Sequence, residues 1–131
     1  MGKLAICTFA IFFLTQFLNA ADISGVWSGT IEGENEGAAV SIPAHAELKQ
    51  SGNSVTGKMW KEDGAVYPIE KGKIERDQIA LEFTAPEGDP NSSYIHHIKL
   101  TRVSENRLEG TLEFEVEGTK VAAKLTLVRN K

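Results

Sequence analysis

Almost every second side chain is apolar or glycine along residues 108–129, on both sides of a Gly118-Thr119 pair. The residues between them are mostly glutamate, lysine and threonine. An alternation with a period of two is typical of a β-strand with one dry face and one solvated face. The pattern predicts a hairpin with a type II′ turn at Gly118-Thr119, which sets Val116 opposite Val121.

The same alternation, less regular, extends back to Ile23, and turn-forming segments divide it into eight strands. Two segments are interpreted as loops: residues 33–37, which are acidic and rich in glycine, and residues 85–93, which contain two prolines. Pro43 predicts a bulge or a free sheet edge, because proline cannot donate a hydrogen bond to a strand ladder.

Two local predictions concern strand register. A turn at Ser51-Gly52 sets Leu48 opposite Val55. The isoleucines at positions 69 and 74 fall on opposite faces of one continuous strand. We therefore expect a bulge near Gly72, since a glycine inside a strand pattern often marks one.

Consecutive hairpins without an amphipathic helix favour an all-β fold, an eight-stranded antiparallel up-and-down β-barrel. Closure into a barrel removes the exposed edges that an open sheet would present. A two-sheet β-sandwich is the alternative.

Residues 1–20 are interpreted as a signal peptide, followed by a single β-barrel domain over residues 21–131. A charged start at Lys3, an apolar run and the small residues Ala20 and Ala21 make this pattern. The only cysteine, Cys7, lies in that segment, so the mature chain has no disulfide. The signal peptide favours a secreted or periplasmic protein. The absence of a disulfide favours a bacterial one, because small animal secreted domains are usually rich in disulfides. No membrane association is expected after cleavage.

The charge distribution argues against two classes of partner. The formal net charge is −4, and no run of five or more basic residues occurs. Binding to nucleic acid or to an anionic membrane surface is therefore not expected.

Gly25-Val26-Trp27 near the start of the mature chain and Arg129 near its end resemble the lipocalins and their calycin relatives. The chain also resembles a small secreted bacterial β-barrel module. This second resemblance rests on Trp27-Ser28-Gly29, Leu48-Lys49-Gln50, Leu108-Glu109-Gly110-Thr111 and Leu125-Thr126-Leu127-Val128-Arg129. The lipocalin resemblance implies that Trp27 packs across one barrel end, with Arg129 over its indole.

The predicted interior contains a set of aromatic and basic side chains that we interpret as ligand-binding. They are Trp27, Phe83, Tyr94, His96, Phe114 and Arg129. His96 lies on the dry face of its strand, where it is either a ligand contact or a hydrogen-bonded part of the core. Small inward residues, such as Gly110 and Ala123, either leave a cavity or are filled by the aromatics. Both readings stay open, because eight-stranded barrels can be solid or hollow.

Neither catalysis nor metal binding has a convincing motif. Residues 52–56 fail the Gly-x-Ser-x-Gly pattern at their last position. Metal binding needs several ligands that converge on one point. His45 and Glu47 are the nearest residues of a suitable type to join His96, and they form no recognised metal-binding motif. We therefore predict no catalytic residues, no metal and no cofactor.

These observations predict an exported, non-enzymatic protein that binds a small hydrophobic molecule inside a β-barrel. The alternative is a periplasmic protein-interaction or inhibitor module that acts through its loops, residues 33–37 and 85–93.

The signal-peptide interpretation predicts a mature protein that begins near Ala21 and lies outside the cytoplasm. N-terminal sequencing of the protein from its native host tests this prediction. An intact Met1 in a membrane fraction would contradict it.

Overall fold

A computed structural model describes residues 22–87 and 89–131, so the predicted signal peptide lies outside the described residues. The regular elements in the described part are β-strands, each paired antiparallel to its neighbours. They are β1 (Gly25–Asn35), β2 (Ala38–Ser51), β3 (Ser54–Trp60), β4 (Val66–Pro68), β5 (Lys71–Glu75), β6 (Gln78–Ala85), β7 (Tyr94–Ser104), β8 (Arg107–Val116) and β9 (Thr119–Arg129).

Eight of these strands form a closed ring, in the order β1, β2, β3, β5, β6, β7, β8, β9 and back to β1. The first and last strands pair from Trp27–Arg129 to Glu32–Lys124. The ladder between β3 and β5 is short, with a single pair at Ser54–Lys73. The short β4 pairs with β3 and lies outside the ring. The predicted eight-stranded antiparallel barrel is thus confirmed, and the chain does not form the alternative sandwich.

The strand that was predicted to contain both Ile69 and Ile74 is divided into β4 and β5, and this division explains why the two isoleucines had opposite parity. The Ile69 amide donates to Gly57 O on β3, whereas the next amide, of Glu70, donates to Glu82 O on β6. The chain therefore changes its ladder partner at residues 69–70, between β4 and β5. The ladder is thus interrupted at residues 69–70, and the prediction of a bulge near Gly72 was wrong in its position.

The last hairpin does not have the predicted turn. Its central residues are Glu117 and Gly118, with φ values of 51° and 83°. Positive φ at both positions is the signature of a type I′ turn, whose twist matches that of the flanking strands. Val116 therefore pairs with Thr119, and Phe114 rather than Val116 pairs with Val121. The predicted register was wrong by two residues.

The hairpin between β1 and β2 has the same kind of turn, at Glu36-Gly37 with φ values of 53° and 81°. Gly33 pairs with Val40 and Glu34 with Ala39. Most of the loop predicted over residues 33–37 is therefore strand. The β2–β3 turn lies one residue later than predicted, at Gly52-Asn53, and sets Leu48 opposite Gly57.

Pro43 lies on a free sheet edge, which is one of the two alternatives predicted for it. It pairs with Thr30 on β1. The ladder between β2 and β3 begins only at His45, so residues 38–44 have no strand on their other side within the described part of the chain. A proline at this position therefore costs no ladder hydrogen bond.

Four glycines let neighbouring strands approach each other closely. A Cβ atom built at each of them would lie 1.7–2.2 Å from a carbonyl oxygen of the next strand. The pairs are Gly29 with Thr126, Gly57 with Glu47, Gly72 with Val55 and Gly110 with Lys99. Gly110, one of the small inward residues for which a cavity and a filled core were both open, accommodates the backbone of β7.

The close approach at Gly110 predicts that Gly110→Ala destabilises the barrel by at least about 2 kcal/mol, because the added methyl group must displace backbone. Gly33→Ala is the matched control. Its nearest neighbour would be the Ala123 side chain, at 3.5 Å, and its backbone neighbours would lie at 3.9–4.0 Å, which are ordinary contact distances. We therefore expect a change within about 0.5 kcal/mol. Urea denaturation measures both, and equal stabilities would contradict the strand geometry.

Candidate functional site

One end of the barrel is sealed by Trp27 and Arg129. The Trp27 side chain is completely buried. Its indole Nε1 donates to Ile23 O at 2.9 Å. The guanidinium carbon of Arg129 lies 4.5 Å from the indole centroid, a cation–π contact of about 0.5–2 kcal/mol. The contact expected between these two side chains is confirmed.

Arg129 also binds three backbone carbonyl groups from two segments at this end. Its terminal nitrogens donate to Ser24 O at 2.5 Å, to Asp22 O at 3.0 Å and to Glu105 O at 3.2 Å. Hydrogen bonds from Ser24 lower the pKa of the Asp22 carboxyl, and the charge of Arg129 adds to this effect. The segment that precedes β1 is thereby held against the β7–β8 turn, and this end is solid.

The opposite end contains a cavity of about 380 Å³. It lies between the ends of β1, β3, β6 and β8 and the starts of β2, β7 and β9. The side chains around it are mostly apolar. Its lining includes Ile31, Val40, Ile42, Ala44, Met59, Trp60, Tyr67, Phe83, Ala85, His96, Leu112, Phe114, Val121 and Ala123. The charged residues of the lining are Glu34, Lys61 and Glu87.

Five rings form a continuous row beside the cavity. Tyr67 stacks on Phe83 at a centroid distance of 5.8 Å, and Phe83 stacks on His96 at 4.8 Å. His96 then contacts Phe114 at 4.6 Å, and Phe114 contacts Tyr94 at 6.4 Å. These distances lie within or near the range in which aromatic pairs attract each other beyond simple burial. The row holds the imidazole in one orientation.

His96 is the one buried polar side chain of the described core, with 2% of its surface exposed. Its Nδ1 lies 2.9 Å from Tyr94 O, and its Nε2 lies 2.9 Å from Glu87 Oε1. A carbonyl oxygen only accepts, so Nδ1 must carry a proton. Both ring nitrogens are thus satisfied, as burial of a polar group requires.

The six predicted ligand-binding residues divide between the two ends. Phe83, His96 and Phe114 line the cavity. Tyr94 contacts Phe114 from outside the lining. Trp27 and Arg129 form the sealed end and do not line this cavity.

The sequence analysis missed several lining residues. Met59 and Ile31 face inward, so strand parity was a signal for them. Glu87 lies in the β6–β7 loop, where no periodicity indicates a direction, and Trp60 ends its strand at the rim. Only the assembled barrel brings these residues together.

His45 does not approach His96, because it faces outward from β2. Its Nδ1 lies 3.0 Å from Ser28 Oγ, and its Nε2 lies 2.6 Å from Glu62 Oε1. Its ring stacks on Trp60 at 5.5 Å. Within residues 22–87 and 89–131, no cluster of three or more histidine, cysteine or acidic side chains has the arrangement of a metal site.

Comparisons with known proteins give no family for this chain. A scan against protein-family models finds no match. A search of the curated proteins finds no match either. None of the described residues belongs to a helix that is long and apolar enough to cross a membrane.

The sealed end predicts that Trp27→Ala lowers the free energy of unfolding by about 3–5 kcal/mol, as expected for a buried aromatic side chain. Trp60→Ala is the control, because Trp60 is only half-buried at the rim, and its loss should be clearly smaller. Urea denaturation followed by circular dichroism measures both. A loss below about 1 kcal/mol for Trp27→Ala would show that the seal is not needed for stability.

Proposed function

We propose that this chain is an exported, non-enzymatic binding protein that holds a small hydrophobic molecule in the open end of its β-barrel. The observation that carries this proposal is the cavity of about 380 Å³ with a mostly apolar lining. Ligand sites are typically concave, apolar and supplied with a few placed polar groups. The His96–Glu87 pair provides such polar groups here.

The rim of the cavity supports the same proposal. Val40, Ile42 and Val121 line it and remain 36–39% exposed. Exposed apolar side chains that adjoin each other often mark a binding surface. A ligand in the cavity would cover part of this rim.

The sealed end supports kinship with the lipocalins and calycins. The Trp27–Arg129 contact is the one that the lipocalin resemblance implies. A barrel that is closed at one end and open at the other is suited to hold a single small molecule. Export through a signal peptide at residues 1–20, and a secreted or periplasmic location, belong to this proposal.

A second candidate function is a periplasmic protein-interaction or inhibitor module. The free edge of β2 over residues 38–44 favours it, because an unpaired strand edge can accept a strand from another protein. The β6–β7 loop, at the same end of the barrel, would contribute to such a surface. This function does not require the cavity to be occupied.

Titration with the neutral apolar dye N-phenyl-1-naphthylamine tests the ligand-binding proposal. We expect saturable binding of one dye per folded chain. Ala123→Phe should weaken it at least about tenfold, since the larger ring fills the cavity. Gly110→Leu cannot serve for this purpose, because its side chain would meet the Lys99 backbone.

The matched control is Lys124→Phe, which places the same ring on the outer face of β9. It should bind the dye as the natural sequence does. Circular dichroism verifies that all variants are folded. If the folded protein does not bind the dye, or binds it equally well with Phe at position 123, the second candidate function is favoured instead.

A further inference from the structure

We infer that the molecule held in the cavity carries a neutral hydrogen-bond donor, such as a hydroxyl group, and that this donor binds the Glu87 carboxyl. This inference rests on the proposed function, because it names the class of ligand that the same cavity would hold. It implies that Glu87 determines which apolar molecules the cavity binds most tightly.

The Glu87 carboxyl has one occupied oxygen and one available oxygen. Its Oε1 lies 2.9 Å from His96 Nε2. Its Oε2 has no polar partner among residues 22–87 and 89–131. The side chain is 35% exposed and belongs to the cavity lining. A ligand that covers this carboxyl displaces water from it, so a ligand with a hydrogen-bond donor is favoured over one that leaves the oxygen without a partner.

The available oxygen is an acceptor whichever of its two forms the pair adopts. Because Nδ1 of His96 donates to Tyr94 O, one further proton is shared between Nε2 and Glu87 Oε1. When this proton resides on Nε2, the pair is an imidazolium and a carboxylate. When it resides on Oε1, the pair is neutral. In both forms Oε2 bears lone pairs and no proton, so the site requires a donor.

The surroundings of Glu87 disfavour an acid as the ligand. The His96–Glu87 pair has no net charge in either form, and Glu34 and Lys61 have opposite charges, so the lining offers no excess positive charge to a carboxylate. A ligand carboxylate brings only acceptors, and next to Oε2 it would meet a like charge or lone pairs. An ammonium group supplies donors but loses more hydration on entry than a hydroxyl does. A neutral alcohol supplies a donor and loses less hydration than an ammonium group.

Two isomers of the same size test this inference. 1-Nonanol has a hydroxyl donor, whereas methyl octyl ether has the same atoms and no donor. Each displaces N-phenyl-1-naphthylamine from the protein near neutral pH. We expect nonanol to bind about fivefold more tightly than the ether, which corresponds to a net hydrogen bond of about 1 kcal/mol. Nonanoate should bind more weakly than nonanol.

Variants assign the preference to Glu87. The double variant Glu87→Leu/His96→Phe replaces the polar pair by apolar side chains and leaves no imidazole nitrogen facing the cavity. It should bind nonanol and the ether equally, with the affinity for the ether retained. Glu32→Leu, on the outer face of β1, removes a carboxylate elsewhere and should keep the fivefold preference. Dye binding verifies that each variant still has its cavity.

The possible outcomes separate the two proposals. Equal binding of the isomers by the natural sequence, or tighter binding of nonanoate, overturns the donor inference and leaves the apolar cavity standing. A nonanol preference that persists in the double variant also overturns it. Failure of the dye and of every chain molecule to bind overturns the proposed function itself.

Discussion

The barrel depends on the joining of its first and last strands, and the Trp27–Arg129 contact secures this joint. Burial of the indole contributes the apolar area, while the guanidinium satisfies carbonyl groups that would otherwise remain exposed at the end of the shell. Trp27 and Arg129 lie near opposite ends of the described chain. Their contact therefore forms only when the whole sheet has closed into a barrel. The close approach of strands at Gly29 and Gly110 allows that curl.

The solid end and the hollow end have complementary roles. Toward the sealed end, aliphatic side chains such as Leu48, Leu108 and Leu127 are completely buried. Toward the mouth, rings replace aliphatic chains, and their stacking on His96 fixes an imidazole where water is scarce. Glu87 completes the hydrogen bonds of that imidazole. Because this polar pair lies at one position in a mostly apolar lining, a bound molecule with a single polar group would have a preferred orientation.

The eight-stranded barrel and the strand faces could be predicted from the sequence because burial has a period of two. The aromatic side chains at positions 83, 96 and 114 fall on the inner face for this reason. The registers between neighbouring strands could not be predicted from the sequence. The type I′ turn places Glu117 at positive φ, whereas turn preferences alone favour asparagine, aspartate or glycine at that position. The cross-strand pairing of Glu115 with Lys120 accompanies the observed register. Glu87 was unpredictable because a loop residue has no periodicity, and its role depends on the partner that the fold brings to it.

Both ends of the described chain lie at the sealed end of the barrel. Asp22 and Arg129 are joined there by a hydrogen bond, and the mouth faces the other way. A surface, a support or a fused protein attached next to Asp22 or after Arg129 would therefore leave the mouth open to solution. Immobilisation through a terminal tag should preserve ligand access, so the molecule is suited to display on a sensor without redesign.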